Sequence, residues 1–462
     1  MHPRHAACLP PTLARHRLRA QSGRRPLKIG ATVVAATLLA GCVAVGERIR
    51  QLDSNMTVLE RVEELVGSAG RPELQATTTA EPEPLDPFGG RAVNILITAI
   101  DSREGENATV VRDSLESPPL NDINMIAHIS ADRSRVDIVS IPRDTLVDMP
   151  SCTRPDGSMS YERSSAMINE AFQQASDDPA DKAEGVACIM KTIEYVSGIR
   201  LDSFILVEFA SFAKVVDALG GVDMCVPDGL IGDKTHIDLP PGINHLNGQG
   251  ALQFARTRSG KTYAGEYLDG SDVVRISRQQ QLIATVVAEV LSSGDLQSLP
   301  KLNATASAVT KSLAVGPELG SVMDMAGLAF ALRGIKMENV SLFTIPWTQD
   351  QQDNNRVRLA TWHDQSRFGG LNAEELFEVL ARDEPVPGTA PYKVLHPDTG
   401  SDAVPSDEPS ASGGAEGTLG GGEAGGQGGA GGADAPMPDD DFVSPVTAVS
   451  ATCVPAGQGS DG

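Results

Sequence analysis

The sequence predicts an α/β fold, a central sheet with helices packed against it, and three observations carry that prediction. Short runs rich in isoleucine and valine (Asn94 to Ile100, Ile123 to Ile129, Val136 to Ile141) have the length and β-branched content of buried strands. Longer stretches with helical spacing alternate with strand-like ones, which is the order of α/β layers. Charged residues stand where the runs end: Asp101 and Arg103 after the first, Asp122 before the second, Arg143 and Asp144 after the third. Ligands of an open α/β sheet bind just outside its strand tips, so these five residues are expected on one rim.

The later elements follow in order. Ser164 to Ala175 and Gly185 to Ser197 read as helices, and Phe204 to Phe209 as a strand. Phe212, Val215, Val216 and Leu219 lie at helical spacing, and Gly220-Gly221 ends that helix. Asp238 to Gly248 is rich in turn residues and reads as a loop. It leads into Ala251 to Arg258, a helix or a strand. Val273 to Leu291 is the clearest amphipathic helix, with Val273, Ile276, Leu282, Ile283, Val286, Val287 and Val290 on one broad face. Val340 to Pro346 reads as a late strand, and no internal repeat is present.

Charge divides the 462 residues unevenly. The net charge of −23 argues against a nucleic-acid binder, which is ordinarily basic. Residues 1–28 carry seven Arg and Lys and no acid, and residues 29–46 carry no charge at all. That apolar stretch approaches the ~20 residues that span a bilayer, and its basic flank would stay in the cytoplasm. A single-pass signal-anchor with the bulk of the chain outside the cell membrane is the expected arrangement. A lipoprotein signal ending at Cys42, after Leu39-Ala-Gly, is the alternative, and Arg24-Arg25 also admits a twin-arginine signal. Residues 47–90 are expected as stalk and linker, 91–383 as the folded domain, and 384–462 as a disordered tail. The tail holds twelve acids against Lys393 and is rich in Gly, Ser and Pro, too polar to bury a core. Its segment Phe442 to Pro455 regains some hydrophobicity and is a candidate to dock back through Cys453.

Outside the membrane, Cys152, Cys188, Cys225 and Cys453 would meet an oxidising space, and four cysteines allow three pairings. Cys152 with Cys188 is the expected pair, since both flank one loop–helix segment. No Cys-x-x-Cys or Cys/His cluster points to zinc.

Arg256, Arg258, Arg275 and Arg278 with Gln279 form the second polar constellation, and Arg275 and Gln279, four apart, point the same way. Arginine forks match phosphate oxygens in pairs, so with Arg143 they suit a phosphate or pyrophosphate in an otherwise acidic protein. Taken singly, each also fits a solvated or ion-paired surface position. Asp101 and Asp122 at neighbouring strand tips suit magnesium, which takes oxygen ligands and shares them with substrate phosphates. Capping of a turn is the plainer role for an aspartate, and it is the one expected for Asp144, orienting Arg143.

Two separated motifs resemble the LytR-CpsA-Psr family of cell-wall enzymes. Asn94-Ile-Leu-Ile-Thr-Ala-Ile-Asp-Ser-Arg103 with Val139-Ser-Ile-Pro-Arg-Asp144 is similar to the first. Gly248-Gln-Gly-Ala-Leu-Gln-Phe-Ala-Arg-Thr-Arg258 with Asp272-Val-Val-Arg-Ile-Ser-Arg-Gln-Gln280 is similar to the second. The resemblance implies a central mixed sheet flanked by helices on both faces and an apolar cleft for a polyprenyl tail. It implies a phosphotransferase that joins a polyprenyl-pyrophosphate-linked glycopolymer to peptidoglycan through a phosphodiester. Arg143, Asp101 and Asp122 would be catalytic, and Arg143, Arg256, Arg258, Arg275, Gln279 and Arg103 would hold the pyrophosphate. Asp101 and Asp122 would hold Mg²⁺. Tyr263 and Tyr267, in a loop long for the family, are candidates to touch substrate. The chain departs from the family pattern at Leu120 and Met167, where cations are usual; Arg103 or Arg112 is available to replace the first. A polyprenyl-pyrophosphate pyrophosphatase and a non-catalytic lipid or wall binder are the alternative readings. No Ser-His-Asp or Cys-His arrangement supports acyl transfer.

Overall fold

A computed structural model describes residues 46–74, 85–100, 119–268, 272–292, 299–353, 355–364, 367–389 and 446–447. Residues 46–53 form a short helix within a unit of their own that ends at Ser54. Everything that follows belongs to the second unit.

The second unit opens with β1 (Thr57–Val58) and α1 (Val62–Val66). Next come β2 (Val93–Ile100), β3 (Asn121–Ile129), β4 (Val136–Ser140), β5 (Leu146–Met149) and β6 (Arg163–Met167). After them stand α2 (Ala171–Ala175), α3 (Lys182–Ser197), β7 (Ser203–Glu208) and α4 (Phe209–Leu219). A smaller body holds β8 (Val222–Val226), β9 (Leu230–Gly232), β10 (Asp238–Leu239), β11 (Gly242–Leu246), α5 (Gly248–Arg256) and β12 (Gly260–Lys261). The chain returns through α6 (Asp272–Ser292), α7 (Leu299–Ser312), β13 (Leu313–Val315), α8 (Val322–Ala331) and β14 (Val340–Thr344). It finishes with β15 (Trp347–Gln349), β16 (Val357–Leu359), α9 (Ala373–Ala381) and β17 (Val446–Thr447).

The main sheet is mixed, in the order β1-β13-β7-β2-β3-β4-β14-β17. β2 runs parallel to β7, β4 runs parallel to β14, and β3 is antiparallel to both β2 and β4. The carboxyl ends of β2, β7, β4 and β14 therefore share one rim with the start of β3. Alternation along the strands splits the core. Leu96, Ile100, Ile126, Val139, Phe204 and Phe343 face the layer that contains α1, α3 and α9. Ile95, Met125, Ala127, Ile138 and Leu342 face Ile283 of α6 and Met325 and Leu328 of α8. The two faces are not equally covered: Leu96, Ile100, Phe204 and Leu206 are at most 2 % exposed, whereas Ile97, Ile123 and Ile205 opposite are only partly buried.

The disulfide joins Cys152 to Cys188, bringing the segment after β5 onto α3 across 36 residues of sequence. Closing a loop of that size should stabilise the fold by about 4 kcal/mol, so Cys152→Ser is expected to lose that much in denaturant unfolding. Reduction of the wild type should cost at least as much, since Cys225 is disulfide-bonded as well.

Several expectations are corrected. Residues 163–167 are a strand, not the start of a helix, because Met167 and Ala166 pair with Leu146 and Val147 in a hairpin. The 238–248 segment is more than a loop: β11 pairs along the whole of β8. The stalk expected over 47–90 is partly inside the fold. β1 pairs with β13, Val62 and Val66 join the core, and the Arg71 side chain is 4 % exposed between Glu63 and Glu194. The folded end also passes Asp383, since Val386 is fully buried in the same core. Residues 29–45 of the apolar stretch and nearly all of the tail lie outside the described residues. Among the described residues no helix is long and apolar enough to cross a membrane.

The rim opposite the strand tips is a buried polar clasp. His128, fully buried, bridges Asn94 Oδ1 (2.8 Å) and Asp383 Oδ1 (3.0 Å), and Arg135 Nη2 donates to Asp383 Oδ1 (2.8 Å). Burial raises the pKa of Asp383, but hydrogen bonds from His128 and the Ala131 N–H, with the charges of His128 and Arg135, outweigh it and leave the carboxyl below its ordinary value. Its stabilisation is thus present above the unfolded aspartate pKa of about 3.9 and is lost as pH falls through the lower folded value. Asp137 and Asp202 on the same rim are pushed up by burial and shift the opposite way. Wild type should therefore lose its stability advantage over Asp383→Asn on acidification below pH ~4, read as converging thermal midpoints.

Candidate active site

The first motif builds the floor of the strand-tip rim. β2 ends at Ile100, which pairs with Asn121, so the strand stops one residue before Asp101 and opposite the neighbour of Asp122. Pro142 ends β4, and Arg143 turns its guanidinium onto Asp122: Nη1 donates to Asp122 Oδ1, while Nε lies 3.6 Å from Asp144 Oδ1. Arg143, Asp122 and Asp144 side chains are all between 11 and 17 % exposed, so this charge-assisted cluster is largely shielded yet reachable. Asp101, Arg103 and Arg112 lie outside the described residues.

The turn after β6 is wired into the same rim. The Ile168 N–H donates to Thr145 O (2.9 Å), and the Asn169 N–H donates to Arg143 O (3.1 Å). Asn121 Nδ2 donates to Ile168 O (3.1 Å). Asn169 is 3 % exposed, and its Oδ1 has no hydrogen-bond partner among the protein atoms. A buried acceptor left open beside Arg143 is a functional signal that the sequence reading missed.

The second motif arrives from above. Asn247 caps α5 by accepting from the Gly250 N–H (2.8 Å), and Leu252 of α5 clusters with Ala99, Ile123 and Val207 at the tips of β2, β3 and β7. Gly248 allows this docking, because a Cβ there would stand 2.0 Å from Ala213 O on α4. Gly248→Ala should cost about 1–3 kcal/mol and displace α5, which denaturant unfolding and loss of turnover would register together.

α5 ends at Arg256, half-buried, and Arg258 beyond it is exposed. Between them Thr257 O accepts from Arg278 Nη1 (2.6 Å), which fixes the α5 exit to α6. On α6, Arg275, Arg278, Gln279 and Gln280 are 6, 9, 5 and 0 % exposed. The polar side of the amphipathic helix is thus turned inward instead of to solvent. Gln280 Nε2 donates to Ser140 Oγ (2.9 Å) and Thr344 Oγ1 (3.3 Å), tying α6 to the tips of β4 and β14. Both motifs therefore converge on one rim. Gln280 is a second residue that the sequence reading missed.

Tyr263 donates its hydroxyl to Asp238, which raises its pKa, and Tyr267 is 82 % exposed. Leu120 and Met167, the positions of the departures, are both half-buried.

Among the described residues no trio of His, Cys, Asp or Glu is placed to hold a metal. The oxygen donors that flank Arg143 are the Asp122 and Asp144 carboxylates, with Asp122 beside the strand end that leads to Asp101. An all-oxygen set of that kind fits magnesium completed by substrate phosphates, and it does not fit zinc.

The profile of the LytR_cpsA_psr family matches residues 70–366, more than half of the chain. The chain belongs to the LytR-CpsA-Psr family. It is 28 % identical over 271 residues to the cell wall biosynthesis protein LcpA of Corynebacterium glutamicum, covering 56 % of this chain and 50 % of LcpA. It is 26 % identical over 175 residues to the polyisoprenyl-teichoic acid–peptidoglycan teichoic acid transferase TagV of Bacillus subtilis, covering 37 % of this chain and 39 % of TagV. The chain thus spans half or less of the length of these relatives. The solved LytR-Csp2A-Psr enzyme from Actinomyces oris is 18 % identical, with a TM-score of 0.43, over 70 % of this chain and 98 % of its own.

Proposed function

We propose that this chain is an extracytoplasmic phosphotransferase that moves a glycopolymer from a polyprenyl-pyrophosphate carrier onto peptidoglycan through a phosphodiester. The observation that carries this reading is the convergence of the two motifs. Arg143, held by Asp122, stands on the same strand tips to which Leu252 docks α5 and Gln280 docks α6. Arginines gathered from three elements suit a pyrophosphate, and TagV is named for the same class of transfer.

In this reading a sugar hydroxyl attacks the phosphorus next to the polymer. The bond to polyprenyl phosphate breaks, and a rim carboxylate takes the hydroxyl proton. Arg143 meets the charge that develops on the transferring group, with Arg256, Arg258, Arg275 and Gln279 binding the pyrophosphate and Arg103 adding to it. Asp101 and Asp122 would hold Mg²⁺, which supplies charge neutralisation at the leaving phosphate. The partly open sheet face at Ile97, Ile123 and Ile205 would take the apolar tail of the carrier. Residues 29–46 would anchor the chain in the membrane that holds this lipid, as a helix or through lipidated Cys42.

The test is to incubate the full chain with a short polyprenyl-pyrophosphate-linked sugar, peptidoglycan fragments and Mg²⁺. A sugar-phosphate adduct on the glycan, seen by mass spectrometry, supports transfer. Polyprenyl phosphate released without adduct supports the pyrophosphatase reading. Binding without turnover supports a lipid binder, with Leu120 and Met167 marking the loss.

A further inference from the structure

β14 ends at the strand-tip rim, and the β15–β16 hairpin that follows brings one more arginine to it. Asp350 builds the hairpin: its Oδ2 accepts from the Gln352 and Asp353 N–H groups (3.0 Å each), and its Oδ1 accepts from Arg358 Nε (2.5 Å). Arg358 Nη2 also donates to Ser165 Oγ of β6 (3.2 Å). The returning strand then lies along the chain that leaves β4. Val357 pairs in parallel with Thr145, and its N–H donates to Asp144 O (3.4 Å). That register sets Arg356 beside Asp144. Arg356 Nη1 is 3.9 Å from Asp144 Oδ1, the same oxygen that lies 3.6 Å from Arg143 Nε.

Charge decides what Arg356 does there. Asp122 and Asp144 both flank Arg143, and all three side chains are largely shielded. Two carboxylates against one guanidinium leave that spot negative, which repels a phosphate. Arg356 brings the four groups to neutrality. Asp353, 3.8 Å from Arg356 Nε, is 48 % exposed, so solvent screens it far more than it screens Asp144, which is 11 % exposed. We propose that Arg356 is a positioning residue of the anion site, which neutralises Asp144 so that Arg143 presents its charge to the ligand. At 3.9 Å the contact is too long for a hydrogen bond, so charge rather than the fork of the guanidinium is what Arg356 supplies. The proposal rests on the pyrophosphate site of the proposed function and not on the transfer step.

Inorganic pyrophosphate and a short polyprenyl-pyrophosphate-linked sugar are titrated by calorimetry into the full chain at low salt, in EDTA. Arg356→Gln should weaken both about tenfold, the low end for a charge that lines a cleft, and added salt should narrow the gap. Arg356→Lys should stay within about threefold of wild type, because it keeps the charge. In an Asp144→Asn background, Arg356→Gln should cost less than about twofold, since the carboxylate it would neutralise is gone. A merely structural role would survive Asp144→Asn, so an equal loss in both backgrounds overturns the proposal. Arg356→Gln binding like wild type, or Arg356→Lys losing as much as Arg356→Gln, also overturns it. Adduct formation is assayed apart from binding. Pyrophosphate binding that depends on Arg356, with no adduct formed, upholds the proposal and counts against transfer alone, whereas a wild type that binds neither ligand overturns both.

Discussion

Arg143→Ala should lower polymer transfer by about 10²–10³-fold, the effect of removing one preorganised donor from a developing charge. The loss should fall on kcat more than on KM if the guanidinium acts mainly on the transferring group. The geometry explains why nothing nearby would substitute. Arg143 is fixed by Asp122 on one side and Asp144 on the other, and its own carbonyl accepts from the Asn169 N–H. Arg143→Lys keeps the charge but loses the fork, so it should recover only part of the rate. Single-turnover assays on the purified full chain check both variants. Transfer within threefold of wild type in Arg143→Ala would remove this residue from the chemistry.

Arg71→Ala should destabilise the fold by about 3 kcal/mol, the low end for removing one partner of a buried ion pair, because Arg200 Nε stays 3.8 Å from the Glu194 carboxylate. Arg71 donates through Nε and Nη2 to both oxygens of Glu194, at 2.7 and 2.6 Å, and also to Glu63. Glu194 is 2 % exposed on α3, and the same carboxylate caps the Leu201 N–H (2.9 Å). Burial lowers the Arg71 pKa, but the carboxylates beside it outweigh burial and raise it, so the guanidinium keeps its charge. Arg71→Ala/Glu194→Gln should recover much of the loss, since it removes the stranded charge. Urea unfolding of the three proteins decides the matter. An Arg71→Ala protein as stable as wild type would return this segment to the linker.

Arg71 also shows where the sequence stops being legible. It opens a Pro, Thr and Glu-rich stretch, and local composition has no term for a partner 123 residues away. The strands β2, β3 and β4 were legible because their side chains alternate between two buried faces, which leaves a continuous apolar run. α6 was legible because its apolar face is broad, although its polar face is buried by Gln280, Arg278 and Arg275 and not solvated. β6 was misread because a hairpin edge with three exposed residues carries little alternation. α9 had a readable start: Asn372 and Glu375 form a reciprocal cap before an apolar run. Of the site, Arg143, Asp122 and the motif arginines were visible as charges at strand ends and through family resemblance. Asn169 and Gln280 were not, because an open amide oxygen and a bond to Ser140 exist only after the elements meet.

The central claim is that the two motifs make one pyrophosphate site. A double-mutant cycle of Arg143→Ala and Arg275→Ala, read as affinity for a short polyprenyl-pyrophosphate-linked sugar, tests it most directly. Residues sharing one ligand should couple, so the double variant should bind better than additivity predicts by about 1 kcal/mol or more. Losses that add within about 0.5 kcal/mol would contradict a shared site.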